Sequence, residues 1–263
     1  MPHTPRQYLR ALLLKFGVGS EAAFRLNLDE IRGDDIFLCS YPKSGNTWLR
    51  FILAHLLSVR TDITPRNVDE LVPDVYAAND KANALASPRI LKTHHALLHE
   101  FPKTIYVVRD VRDAMLSYYH YQQALGAFKG NFSEFLDVAD TLHPFGNWSA
   151  HVEKALAFSN QYPKRILLLR YEDLQLNPET EIEKLIAFLG ISPKRSAKEA
   201  IALSAFGRLQ TLEAEHGSSF GDKSGKPFFR SGKTGEGKAQ LSAADNARLL
   251  AQHAKALQLL HYS

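Results

Sequence analysis

The chain has 263 residues, 45% of them hydrophobic and 23% charged, a composition that excludes a disordered or fibrous protein. Its formal charge of +4, from 32 Lys and Arg against 28 Asp and Glu, suits a small anionic ligand; no long basic run is present, so no nucleic-acid partner is expected. The single cysteine, Cys39, excludes an internal disulfide framework, and no stretch approaches the roughly 18 apolar residues of a membrane span, so a reducing, cytoplasmic setting without stable membrane insertion is expected.

In chain order, MPHTPRQYLRALLLKFGVGSE has an apolar patch broken by Lys15; it is expected to form a short amphipathic helix packed on the domain, not a signal peptide. Short apolar runs predict strands over Asp35–Ser40, Arg89–Thr93, Thr104–Arg109 and Arg165–Tyr171, nearly continuous in apolar character and so buried on both faces. Helical patterns lie between and after them, at Thr47–Leu57, Asp110–Leu125, Phe132–Asp140 and Trp148–Tyr162. A further helix has Asn177 as cap, Pro178 at its first position and Gly190 as stop. Others are expected at Ser196–Leu203, Arg208–His216 and Ser242–Leu257. Strands alternating with helices predict an α/β fold with a central, mostly parallel sheet flanked by helices. The segment Gly217–Lys238, rich in Gly and Lys, ends against the main body and reads as a ligand-covering loop. One domain over residues 1–263 is expected.

SYPKSGNTW, Ser40–Trp48, joins the first strand to the first helix. A helix N-terminus presents unpaired N–H groups and partial positive charge, and an anion binds there when the loop is lean. Gly45 lets the backbone approach, Ser44, Asn46 and Thr47 are candidate donors, and Lys43 adds a mobile charge. A nucleotide-hydrolase loop closes on Gly-Lys-[Ser/Thr], which positions Mg²⁺; here the Lys precedes the Gly by two residues, so binding of a 5′-phosphate follows and metal-assisted phosphoryl transfer does not.

YPKSGNTW resembles the 5′-phosphosulfate-binding loop of the cytosolic-type sulfotransferases, close to Y-P-K-[SA]-G-[TN]-T-W. The resemblance implies a P-loop-like three-layer α/β fold and 3′-phosphoadenosine 5′-phosphosulfate (PAPS) as donor. VVRDVRDAMLSYYHY is similar to the family's 3′-phosphate segment, with Arg109 and Ser117 at the family's spacing. KTH in ILKTHHALL places His94 as the implied general base and Lys92 as its neighbouring lysine, with Lys43 and Lys92 on the leaving oxygen. His94 and His95 alternate across an extended chain, so only one can face the site; the spacing from Lys92 selects His94. RSGKTGEGK matches the family's R-K-G-x-x-G-D-W-K through Arg230, Gly232, Gly235 and Lys238, while Ser231 stands for the Lys, with Lys233 as a substitute charge. Trp48, Tyr171, Ser204, Phe206 and Phe229 match residues near the adenine.

The implied reaction moves the sulfuryl group of PAPS to a hydroxyl or amine of a small-molecule acceptor and releases adenosine 3′,5′-bisphosphate (PAP), with no metal. Two rival readings are an ATP-dependent P-loop kinase, for which Asp110 and Asp113 follow a strand, and a non-catalytic nucleotide-binding module. Asp69, Glu70, Asp74 and Asp80 cluster in a segment expected to border the acceptor; a solvated face is the expectation and a cationic acceptor the alternative. The family's dimer stretch is only partly kept: KAQLSAADNA retains Lys238 but carries Ser242, Ala243 and Ala247.

Overall fold

The predicted apolar runs form a four-stranded sheet in a computed structural model that describes residues 26–76, 79–142, 144–217 and 227–262. The predicted N-terminal helix lies outside the described residues, as do residues 218–226 of the glycine-rich segment. Strand β1 (Ile36–Ser40) is followed by α1 (Asn46–Leu57) and α2 (Asn79–Ala84). Strands β2 (Ile90–Thr93) and β3 (Lys103–Val108) precede α3 (Val111–Ala124), α4 (Phe132–Val138) and α5 (Trp148–Gln161). Strand β4 (Ile166–Arg170) leads into α6 (Tyr171–Leu176), α7 (Pro178–Leu189), α8 (Ala197–Leu203) and α9 (Phe206–His216). The chain closes with α10 (Glu236–Gln240), α11 (Ala243–Gln252) and α12 (Ala254–Leu259).

The strand order is β2-β1-β3-β4 and every pairing is parallel, Ile36 lying opposite both Ile90 and Lys103 and Thr104 opposite Ile166. Parallel neighbours need crossover connections, and helices supply them. Because side chains alternate along a strand, Phe37, Cys39, Tyr106 and Val108 enter one core with Ala114 of α3, Trp148 of α5 and Leu257 of α12. Ile36, Leu38, Ile105 and Val107 enter the other with Leu49 of α1, Ile182 of α7 and Leu209 of α9. Two buried faces explain why the strands read as unbroken apolar runs, and the result is a three-layer α/β fold.

Each predicted strand is found within one residue at either end. The differences have local causes. The last strand stops at Arg170, and Tyr171 opens a helix, which turns its ring toward the end of the sheet. Asn177 occupies the cap position of α7 without a side-chain cap bond; Pro178 and left-handed Gly190 (φ 68°) set that helix's ends. Ser242–Leu257, predicted as one helix, divides at His253, which leaves helical geometry (φ −117°, ψ 16°) and whose Nδ1 pairs with Ser149 Oγ of α5 at 2.7 Å.

Beneath β1, Arg89 grips Asp35 with Nε–Oδ1 at 2.8 Å and Nη2–Oδ2 at 2.6 Å, both side chains fully buried. Removing one partner strands the other charge. Arg89→Ala is therefore expected to lower unfolding free energy by about 3–5 kcal/mol in urea titrations.

Candidate active site

The loop Tyr41–Gly45 turns the chain from β1 into α1 at the carboxyl end of the sheet, where open α/β sheets bind ligands. It does so through two left-handed residues, Lys43 (φ 66°) and Gly45 (φ 95°). A Cβ at Gly45 would overlap the Tyr171 ring, so only glycine fits. The Asn46 amide donates to Leu38 O (3.3 Å), Ser40 Oγ (3.1 Å) and Thr93 O (3.4 Å). It ties the ends of β1 and β2 together, so what Asn46 offers an anion is its backbone at the helix start, not the side-chain donor read from the sequence. Thr47 and Trp48 continue the first turn, whose N–H groups lack intrahelical acceptors.

A cavity of about 460 Å³ opens over this loop. Of the residues singled out in the sequence, Lys43, Gly45, Asn46, Thr47, Trp48, Lys92, His94, Arg109, Ser117, Tyr171, Phe206, Phe229, Arg230, Ser231 and Gly232 line it. Ser44 and Ser204 do not; both are buried behind the wall, with hydroxyls that find no hydrogen-bond partner among the described residues. Trp48 bonds over Ser204, its Nε1 donating to Ser204 O at 3.0 Å, and meets Tyr171 edge to face at 5.7 Å.

Lys43 Nζ lies over the rings of Phe228 (3.9 Å) and Tyr121 (4.3 Å), two aromatics the sequence reading had not assigned. Burial, then the charges of Arg109, Lys92 and Arg230, push its pKa down to about 7, against a small opposing pull from Glu213. An anion at this ammonium restores the proton. Well below pH 7 Lys43 is charged with or without ligand, and affinity is flat with respect to this group. Above pH 7 binding takes up a proton, and affinity falls as pH rises toward the bound-state pKa. Calorimetry of PAP binding at pH 8 in buffers of differing ionisation enthalpy is expected to show this uptake, and at pH 6 to show none from Lys43.

Arg109 leaves the end of β3 with its guanidinium 4.5 Å above the Tyr171 ring. Nη1 donates to Lys43 O (3.3 Å) and Nη2 to Lys233 O (2.7 Å), while buried Nε finds no acceptor among the described residues. The glycine-rich turn is held against this end of the sheet from several sides. Tyr171 Oη donates to Gly232 O (2.6 Å), and Asp113 accepts from Gly235 N (2.8 Å) and Gly237 N (2.7 Å). A Cβ at Gly232 (φ 68°) would overlap the Phe206 ring. Arg230 pairs with Glu236 at 2.8 Å, and Lys233 lies off the cavity wall and reaches the site through its carbonyl. Phe229 is buried, its N–H bonded to Glu213 Oε2 at 3.0 Å.

His94 follows β2 directly. Nδ1 lies 2.8 Å from Ser40 O, an acceptor only, so Nδ1 carries the proton and Nε2 keeps its lone pair. Burial and the Lys92 charge hold the imidazole well below its ordinary pKa, so it stays neutral near pH 7. Its carbonyl accepts from His151 Nε2 (2.8 Å), and its N–H donates to Tyr76 Oη (2.9 Å). His95 does not line the cavity; its ring packs edge-on against Phe145 at 4.9 Å. Lys92 Nζ bonds Asp74 Oδ2 at 2.8 Å.

The acidic segment divides, Glu70 and Asp80 lying exposed as expected of a solvated face and Asp69 and Asp74 turning inward. Asp69 and Asp74 line the cavity and are engaged by Arg50 and Lys92, while Glu70 pairs with Arg60 at 2.7 Å. The two carboxylates a kinase would need are also committed: Asp110 caps α3 and pairs with Arg112, and Asp113 holds the glycine-rich turn. Among the described residues no group of three His, Cys, Asp or Glu could hold a metal ion, and no helix is long and apolar enough to cross a membrane.

Fold and cavity together describe a three-layer α/β protein with a cleft, lined by Lys43, Lys92, Arg109 and Arg230, at the carboxyl ends of its strands. The family described as Sulfotransferase domain matches residues 33–260, and the chain belongs to it. Sulfotransferase 1C2 of Rattus norvegicus is 30% identical over 239 residues, spanning 82% of this chain and 80% of that protein. Sulfotransferase 1A1 of the same species is 29% identical over 248 residues, spanning 85% and 84%. Among solved structures, mouse sulfotransferase SULT7A1 complexed with PAP superimposes with a TM-score of 0.70 at 21% identity, covering 94% of this chain and 96% of that one. Retinol dehydratase in complex with androsterone and inactive cofactor PAP gives 0.64 at 21% identity, covering 86% and 81%. Both likenesses are of fold.

Proposed function

We propose that this sulfotransferase uses PAPS as donor, a small molecule bearing a hydroxyl or amine as acceptor, and acts as one domain in the cytoplasm. The observation that carries the reading is a single cavity whose wall includes Lys43, Lys92, His94, Arg109, Ser117 and Arg230. The 5′-phosphosulfate rests on the loop Lys43–Trp48. The 3′-phosphate lies between Arg109, Ser117 and the Arg230–Gly232 turn, where a rigid guanidinium fork suits a phosphate. The adenine lies near Trp48, Tyr171, Phe206 and Phe229.

The acceptor oxygen or nitrogen attacks sulfur and gives its proton to His94 Nε2. The bond from sulfur to the bridging oxygen breaks, and its electron pair stays on the 5′-phosphate of PAP. Charge spreads over the transferring group in a loose transition state, by analogy with phosphoryl transfer. Lys43 and Lys92 face the oxygen on which charge grows, where fixed electrostatic stabilisation is most effective. The His94 ring meets Tyr76 and Phe145 of the cavity wall, and Asp69 and Asp74 are engaged by cations, which favours an uncharged ring-bearing acceptor over a cation.

Incubation with sulfur-labelled PAPS and a panel of phenols, alcohols and amines tests the reading. Label transferred to an acceptor with matching release of PAP is expected. No transfer to any acceptor, with Mg²⁺-dependent ATP turnover in its place, would overturn it.

A further inference from the structure

Lys92 stands in the cavity wall with its side chain only 7% exposed. Burial pulls its pKa down, and the Arg50 charge adds to that pull. Lys43 repels it from the phosphate loop. Cys39 behind it is a neutral thiol, because burial pushes its pKa up. An amine so placed tends to lose its proton.

We propose that Asp74 is a positioning residue that aims the Lys92 ammonium into the cavity and keeps it charged through turnover. The proposal rests on the reading above that Lys92 acts on the leaving oxygen.

The geometry is built for this. Residues 73–75 are annexed to the free edge of β2: Lys92 N donates to Pro73 O (2.9 Å), and Val75 N to Lys92 O (3.2 Å). Asp74 and Lys92 form a parallel bridge, which places them side by side. Asp74 is held by its backbone and by one carboxylate oxygen. Asp74 N donates to Asp69 Oδ1 (2.8 Å), and Asp74 Oδ1 accepts from Tyr76 N (3.1 Å), leaving Oδ2 for the ammonium at 2.8 Å. Asp69 is in turn held by Arg50, whose Nε donates to Val72 O at 2.8 Å. Tyr76, two residues on, receives the His94 N–H, so one short segment fixes both the lysine and the backbone of the base.

The charges agree. Asp74 is the main group opposing burial at Lys92, by its charge and by its hydrogen bond, with a smaller contribution from Asp69. Burial alone would favour a neutral Asp74, but the charges of Lys92 and Arg50, and its bond to Lys92, hold its pKa below the ordinary value. His94, the other titratable neighbour on the strand end, is neutral and adds no charge near pH 7.

The test is the pH profile of kcat with PAPS for Asp74→Asn, Asp74→Glu and Lys92→Met. In Asp74→Asn the alkaline limb is expected to move down by about one pH unit or more, with kcat at pH 7.5 reduced about tenfold and the KM for PAPS changed by less than about threefold. Asp74→Glu, which keeps the charge, is expected to restore the limb. An unshifted limb in Asp74→Asn together with an impaired Lys92→Met overturns the proposal and leaves the reading of Lys92 intact. Wild-type turnover by Lys92→Met overturns that reading instead. Carbon-13 NMR of Lys92 in the wild-type enzyme gives an answer that needs no variant: a charged ammonium at pH 7.5 is expected, and a neutral amine there overturns the proposal.

Discussion

His94→Ala is expected to lower kcat by about 10²-fold or more, the scale of a lost general base, while PAP affinity changes by less than about twofold. The asymmetry follows from the geometry. The bond from Nδ1 to Ser40 O fixes both ring and tautomer, leaving Nε2 as the proton acceptor, and the proposed roles give His94 no direct contact with the nucleotide phosphates. Burial and the nearby Lys92 keep the imidazole neutral, so it is ready to accept a proton across the neutral pH range. His95→Ala is the internal control, because His95 does not itself line the cavity and its loss should leave kcat nearly unchanged. Steady-state kinetics paired with calorimetry reads both quantities. The reverse pattern would mean that the base is the second histidine of the doublet.

Lys43→Met is expected to lower kcat by about 10²–10³-fold, the usual cost of removing one charge-stabilising donor from a transition state. Methionine is unbranched and apolar, and its end can pack on the rings of Tyr121 and Phe228 where the lysine ammonium now lies, so the fold should persist. PAP keeps the 5′-phosphate but lacks the breaking bond, so its affinity should fall much less than kcat. Single-turnover measurement of sulfate transfer, set beside PAP titration, separates the two. Equal losses in both would make Lys43 a uniform binder of the nucleotide, not a group that acts on the leaving oxygen.

How much of this could be read from the chain depends on how local each cause is. The strands were legible because both faces of the sheet are buried and the apolar runs admit no other use. The strand–loop–helix turn was legible because a lysine and a glycine sit between an apolar run and a helical pattern; that a Cβ at Gly45 would strike Tyr171 was not. Alternation along an extended chain said that one of the two histidines faces the site, and the spacing from Lys92 selected His94; of the pair, His94 lines the cavity, although both rings meet Tyr76 and Phe145. What the sequence hid is long-range. Asp74 meets Lys92 only because residues 73–75 add themselves to the edge of β2, a backbone pairing with no local pattern. Asp113 looked like a candidate Mg²⁺ ligand after a strand, yet it binds two amides more than a hundred residues away in sequence. Asn46 looked like a ligand donor, and only the ends of β1 and β2 reveal it as a strut. Ser44 and Ser204 matched the resemblance by position, but their orientation is set by packing that spacing does not encode.

The central claim, that this cavity recognises a nucleotide by its 3′-phosphate as well as its 5′ end, is tested most directly by calorimetric titration of the full chain with PAP and with adenosine 5′-monophosphate. With Arg109, Ser117 and the Arg230–Gly232 turn arranged as they are, PAP is expected to bind about 100-fold more tightly, a difference of about 2.7 kcal/mol, and Arg109→Ala to remove most of it. Equal affinity for the two nucleotides would contradict the assignment.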